Sequence, residues 1–421
     1  MTPGRTRYAR TLLALACLLF FTVAYAHAAV GRPNAIDHRV NAIPAIQLLL
    51  NPATALVDPD RQIGAHHLAQ WLLPGWLLTI LAEAFALFYF WQSGAAAIVR
   101  DRLRRGFQNE SMVRFWFGAV LALIARLASI VPDLYSFRVA RVLGLSNQLL
   151  HTWAANWTVN TLLAMLITGI VVTGVLWLVD KTHQWYIYTI LAIFALSFAL
   201  SYSQPYTSSF FDRYEKIGNG RIAAALTKEE TVTGYSLPIV VEAHSRRSSV
   251  GVAMVQGLGP SERIVISDTL LAGASLGEIR FVLAEQLGRV ANRDPARLAL
   301  FNALFVIVGA AFAVFIADRI RFRRDDDPVA RLALAAALLC CVYLIVAPID
   351  NSVLRRMTMH ADSFAVAVTH DRASAVRAVI RGTDQRMDEV CPGSFTALFL
   401  NNRPAPGERV AALNGIKNAC P

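Results

Sequence analysis

The stretch "VLAEQLGRVANRD", residues 282–294, decides how the rest of the chain is read. A helix carrying H-E-x-x-H holds a zinc ion between two histidines one turn apart and sets a glutamate beside it as general base. Here those five positions are Glu285, Gln286, Leu287, Gly288 and Arg289. Just upstream, "GASLGEIRFVLAEQLGRV" places Glu278 three residues after Ser275, a capping box that predicts the start of an amphipathic helix. Ile279, Leu283, Gln286, Leu287 and Val290 fall on one side of it, so the amide of Gln286 lies within the apolar stripe.

The surrounding chain is far too apolar for a soluble protein. Of 421 residues, 55% are hydrophobic and only 16% charged, and the mean hydropathy is +0.44. Spanning a hydrocarbon core takes about 20 helical residues. Seven stretches qualify, near 11–30, 71–95, 113–135, 159–180, 184–204, 297–317 and 330–349. The first has a basic start, an apolar centre and an Ala-His-Ala ending, which reads either as a secretory signal or as a retained span. The expected divisions are 1–30 (signal peptide or first span), 31–204 (four spans), 205–296 (a soluble insert), 297–349 (two spans) and 350–421 (helices and tail). The insert holds short β-rich runs, "LPIVVEA" and "ERIVISD".

A net charge of +11 would speak for nucleic acid in a soluble domain, but here the arginines sit in short loops between spans. They report topology, with the bilayer as partner and no nucleic acid. Arg5, Arg7 and Arg10, then Arg100, Arg102, Arg104 and Arg105, then Arg319, Arg321, Arg323 and Arg324 share one side if every apolar stretch spans. By the positive-inside rule that side is cytoplasmic, which puts the insert and the tail outside, as expected for a bacterial inner membrane. Cys391 and Cys420 share that tail and could form a disulfide or remain free thiols, while Cys17, Cys340 and Cys341 read as packing residues within spans. Glu83 and Arg126 lie within spans and are expected to face the interior. No glycine-rich phosphate loop, Cys-x-x-Cys pair or nucleophile elbow occurs, which argues against enzymes built on those devices.

Four stretches together resemble one family, the type I CAAX prenyl proteases, integral-membrane zinc metallopeptidases related to HtpX. "HSRRSSVGVAMVQGLGPSERIVISDTLL" (244–271) is similar to the family's S-[KR]-R-S-S-H-S-N-A-Y-F strand region, and "GEIRFVLAEQLGRVANRD" to its E-[VI]-x-x-V-L-x-H-E-L-G-H helix. "LRRMTMHADSFAVAV" resembles S-R-R-x-E-x-x-A-D-x-F-A, and "RPAPGERVAAL" a closing H-P-P-x-x-E-R-[IL]. The resemblance implies a mostly α polytopic membrane protein with about seven transmembrane helices and a small α+β metallopeptidase-like domain between the fifth and sixth; that layout favours a retained first span.

The departures gather at the chemistry. The family's metal-ligand positions hold Glu285, Arg289 and Thr358, its catalytic glutamate position Gln286, and the closing histidine position Arg403. Val250 and Val252 stand where the family has a histidine and an asparagine, and with Ala253 form the expected substrate-edge strand. Scaffold positions Arg246, Arg247, Arg263, Asp268, Asp294, Arg355, Arg356, Asp362 and Arg409 keep the family residue or a close substitute. Zinc, the cofactor of active relatives, is therefore not expected, and His360 would point away from the face of Thr358 and Asp362. Glu285 and Arg289 are spaced for a helical ion pair filling the vacated place. The implied function is a catalytically inactive pseudoprotease that binds peptide or lipidated chains. The alternatives are a metalloendopeptidase with a non-standard metal site and a structural or assembly factor.

Overall fold

The computed structural model describes residues 33–209, 212–216, 220, 233–234, 237–243, 245, 248–320 and 328–420. The apolar stretch 11–30, Cys17, Arg246, Arg247 and the loop arginines 321, 323 and 324 fall outside the described residues.

Six described helices are long and apolar enough to cross a membrane: α4 (Pro59–Gln92), α6 (Glu110–Val142), α7 (Leu150–Lys181), α8 (Trp185–Ser208), α11 (Asp294–Arg319) and α12 (Pro328–Thr369). They are the six later stretches expected from hydropathy. Two of their starts are capped by side chains: Asp58 accepts from the amides of Asp60 and Arg61 ahead of α4, and Asn109 does the same for Ser111 at α6. Where α6 meets α7, small residues let the backbones touch. A Cβ on Gly169 would lie 2.8 Å from the Phe115 ring, and one on Gly118 would lie 2.9 Å from the Thr168 carbonyl. A short basic helix, α5 (Ala95–Gly106), joins α4 to α6.

Between α8 and α11 lies a four-stranded sheet made of β1 (Tyr214–Lys216), β2 (Ile239–Glu242), β3 (Ala253–Gln256) and β4 (Arg263–Ser267), in the order β1-β2-β4-β3. β2 pairs with β4 in parallel and the other pairs are antiparallel. β4 is buried from Ile264 to Ser267, as its unbroken apolar run requires, and β3 is left at an end of the sheet. The short α9 (Asp268–Gly273) leads into α10 (Leu276–Ala291), which packs Ile279, Leu283 and Leu287 against Ile264 and Ile266. Ser275 and Glu278 form the expected capping box, at 3.4 and 2.8 Å. Val290 at the helix end is only half-buried.

The boundary drawn at 349/350 falls inside one continuous helix, since α12 carries the last span straight into the site region. Pro348 removes a single backbone donor there, and the Ser352 hydroxyl bonds the Pro348 carbonyl at 2.8 Å. α12 ends at Thr369, and His370 after it lies in the left-handed region (φ 52°). Asp371 then caps α13 (Arg372–Arg386) by accepting from the Ser374 amide. Residues 33–58, grouped with the spans on sequence, form α1 (Pro33–Ala42), α2 (Ala45–Leu50) and α3 (Ala53–Leu56), which pack on α13 and on α15 (Pro406–Asn414). Ile36, Val40, Leu48, Val376, Val379, Ile380 and Val410 make that core. At its heart Arg381, 1% exposed, bonds Glu278 at 2.7 and 3.2 Å, Asn41 at 2.6 Å, and Asp37. Cys391 and Cys420 are joined by a disulfide that ties the tail beside α15, with Gly407 packed beneath the Cys420 sulfur. A further helix, α14 (Ser394–Phe399), is held on α12 by Asn351, which donates to the carbonyls of Leu398 and Phe399.

Candidate functional site

α10 and α12 lie face to face because Gly288 admits the Phe364 ring; a Cβ there would be 2.8 Å from it. That approach brings Glu285 and Arg289 of α10 against Thr358 of α12. Arg289 Nη2 donates to Glu285 Oε1 and to Thr358 Oγ1, each at 3.0 Å. The Thr358 hydroxyl spends its own proton on the Leu354 carbonyl at 3.0 Å, which leaves its lone pairs for the guanidinium. One nitrogen thus joins all three positions at which the family resemblance set metal ligands.

A second layer closes over this clasp. Arg409, from α15, donates from Nε and Nη2 to the two carboxylate oxygens of Asp362 at 2.7 and 2.5 Å, and its Nη2 lies 3.6 Å from Glu285 Oε2. Burial by itself would raise the Glu285 carboxyl, but Arg409, Arg289 and Arg403 outweigh it and hold that carboxyl below its ordinary value. Gln286 is 3% exposed and borders the same space.

Zinc fits this donor set badly. A guanidinium offers no lone pair and keeps its proton, and a neutral hydroxyl is a weak ligand, so of the three only Glu285 suits the ion, and it already bonds Arg289. His360 is exposed, and among the described residues no group of three or more His, Cys, Asp or Glu gathers closely enough to hold a metal. The Gln286 amide has no useful basicity near neutral pH, so it could not deprotonate a water.

The clasp borders a cavity of about 350 Å³ whose facing walls include β3 (Ala253, Met254, Val255) and α11 (Leu298, Asn302). A second cavity, about 710 Å³, extends between α4 (Leu72, Trp76), Asp133 of α6 and the tail. Arg386, Asn402 and Arg403 line both. Arg403 is surrounded by protein yet accessible, because the space it borders is open. Chiefly the neighbouring Arg386, then burial, push its guanidinium down to about 10, which still leaves it charged at neutral pH.

The other expected site residues are spread around this centre. Ala253 opens β3, but Val250 and Val252 precede the strand. One backbone bond, from the Ser267 amide to the Val252 carbonyl at 2.9 Å, reaches into this stretch, and side-chain hydroxyls hold the rest: Thr269 donates to the Val250 carbonyl at 3.0 Å, and Ser267 Oγ accepts from the Val252 amide at 2.8 Å. Arg355 donates to the carbonyls of Ala397 and Asn401, both at 2.7 Å, and so fixes the turn that presents Arg403. Asp294 begins α11, 4.0 Å from Arg297. Within the spans, Arg126 turns inward to Asp133 at 3.2 Å and lies over Trp157, and Glu83 is half-buried beside Ser129. The Arg289–Thr358 and Arg409–Glu285 links and the Arg381–Glu278 pair were not foreseen, since no local spacing marks contacts between residues so far apart in the chain.

Comparison with known proteins places this geometry in a family. Residues 218–417 match the model of peptidase family M48, and residues 76–209 match the model described as the CAAX prenyl protease N-terminal region with five membrane helices. The Bacillus subtilis protein named "Uncharacterized metalloprotease YhfN" is 22% identical over 80% of this chain and 81% of its own length. CAAX prenyl protease 1 of Saccharomyces cerevisiae is 25% identical over 45% of this chain and 43% of its own. The crystal structure of S. mikatae Ste24p shares the fold, with a TM-score of 0.71 at 17% identity, covering 95% of this chain and 98% of that one.

Proposed function

The chain belongs to the CAAX prenyl protease branch of peptidase family M48, and from that premise we propose that it is a multi-pass membrane pseudoprotease, one that binds peptide or lipidated chains without cutting them. The observation that carries this reading is the Arg289 guanidinium bonded at once to Glu285 and Thr358, a fixed cation where active relatives would need three lone-pair donors. Gln286 in place of a general base removes the hydrolytic step independently. Retained binding is supported by β3, which stands at an end of the sheet and lines the cavity, because an added strand is gripped mainly through backbone hydrogen bonds.

In the proposed setting, a bacterial inner membrane, the sheet and tail face the extracytoplasmic side. The arginine-rich loops support that orientation, and so does the Cys391–Cys420 disulfide, which persists in oxidising compartments. Metal analysis and a peptidase assay on detergent-purified protein test the function. Substoichiometric zinc and no cleavage are expected, and one equivalent of zinc together with a cut peptide would overturn the proposal. A reporter fused after Pro421 tests the orientation.

A further inference from the structure

The helix that joins α4 to α6 carries more positive charge than it neutralises. Gly94, in the left-handed region (φ 79°), turns the chain out of α4 and into α5. Packing fixes which way α5 faces, since Ala96, Val99 and Leu103 belong to a core shared with α6 and α12. Ile98, Arg102 and Arg105, spaced i, i+4 and i+7, fall on the other side and are all exposed. Of the four arginines, Arg100 pairs with Asp101 at 2.8 Å and Arg104 with Glu110 at 2.9 Å. Arg102 and Arg105 differ. Among the described residues neither makes an ion pair, and Arg105 spends only its Nε, on the Asp101 carbonyl at 3.4 Å. Apolar groups flank the two charges. Ile98 is 62% exposed, and Phe107, just past the helix, stacks on Trp116 of α6 at 6.5 Å with both rings exposed.

We infer that the exposed face of α5 binds an anionic phospholipid, with Arg102 and Arg105 on its phosphodiester and Ile98 against the start of its acyl chains. The site lies apart from the cavity beside α10 and stands whether or not peptides bind there. A helix linking two spans runs at the level of the headgroups, where a basic face meets the negative surface of the bilayer. Two guanidinium groups three residues apart on one face can converge on a single phosphate, and their fork geometry suits its oxygens. The choice of a lipid over a soluble acidic partner follows from the apolar groups. An acidic protein segment would satisfy the arginines and leave Ile98, Phe107 and Trp116 facing charge, whereas a phospholipid offers phosphate and hydrocarbon side by side, as this face requires.

The test is native mass spectrometry of the full-length protein in detergent, titrated with phosphatidylglycerol or with phosphatidylcholine of the same acyl chains. The readout is the lipid concentration at which half the protein carries its first lipid. The native chain is expected to take phosphatidylglycerol at the lower concentration. Arg102→Gln and Arg105→Gln should each weaken that binding about fivefold and leave phosphatidylcholine binding unchanged, so that the double variant loses the preference. Equal binding of the two lipids to the native chain overturns the site. A preference that survives in the double variant overturns it as well, by placing the anionic lipid elsewhere. Displacement of phosphatidylglycerol by an equal concentration of glycerol 3-phosphate or of a polyglutamate peptide would make the face a site for soluble anions or acidic proteins, and also overturns it. Because the two lipids are compared on the native chain, the preference is read independently of whether a variant folds, and the phosphatidylcholine titration checks the variants themselves.

Discussion

Removing the Arg289 guanidinium while keeping Glu285 strands a carboxylate between two helices. The side chains are 20% and 13% exposed, so the pair behaves as mostly buried, and leaving one buried charge uncompensated typically costs about 3–5 kcal/mol. Arg409 remains 3.6 Å from the other Glu285 oxygen and softens the loss, which places Arg289→Met near the lower end, about 3 kcal/mol. Adding Glu285→Gln removes the stranded charge, so the double variant should regain about 1–2 kcal/mol despite carrying one more substitution. Thermal midpoints taken in one detergent at one scan rate give the ranking, native first, double variant second, Arg289→Met last. Equal midpoints for the single and double variants would refute a coupled pair. The pH dependence gives a second reading. The Glu285 carboxyl titrates lower in the folded chain than in the unfolded one, so its contribution is complete above about pH 5 and is lost as the pH falls through the folded value. The gap between native and Arg289→Met should therefore narrow in acid.

Asp384, fully buried, has its carboxyl pushed up to about 6 chiefly by burial, against an opposing hydrogen bond from the Asp58 amide. Folded Asp384 holds its proton more tightly than the unfolded chain does, so native stability relative to Asp384→Asn should fall by about 2 kcal/mol as pH rises from about 4 to 6. Thermal midpoints across that range check it. Gly288→Ala should drive a methyl into Phe364 and cost about 1–3 kcal/mol by overpacking, seen as a lowered midpoint. The disulfide closes a loop of 29 residues in sequence separation, so Cys391→Ala with Cys420→Ala should destabilise by about 3–4 kcal/mol, and a reductant should lower the native midpoint but not that of the variant.

Much of the architecture was legible because membrane crossing and helix capping are local properties. The six later apolar stretches and the Ser275–Glu278 box could be read from runs and spacings alone. The i,i+4 relation of Glu285 and Arg289 was likewise legible, as was the burial of Gln286. Contacts between remote segments were not. Glu278 reads as a cap, yet its carboxylate also grips Arg381, 103 residues away, and Thr358 reads as an unlikely ligand rather than as the acceptor for Arg289. The unbroken helix through Pro348 was hidden for another reason: a proline and the polar residues after it mark a boundary in isolation, and only packing on both sides keeps the helix continuous.

That helix, 42 residues or about 63 Å long, is roughly twice the thickness of a bilayer's hydrocarbon core. Its membrane-spanning part and its Thr358 part belong to one helix that continues through Pro348. A membrane of different thickness that changes the tilt of the first part would carry the second with it to the extent that the helix stays straight at Pro348. Short-chain and long-chain bilayers should then hold the opening between α10 and α12 at different widths.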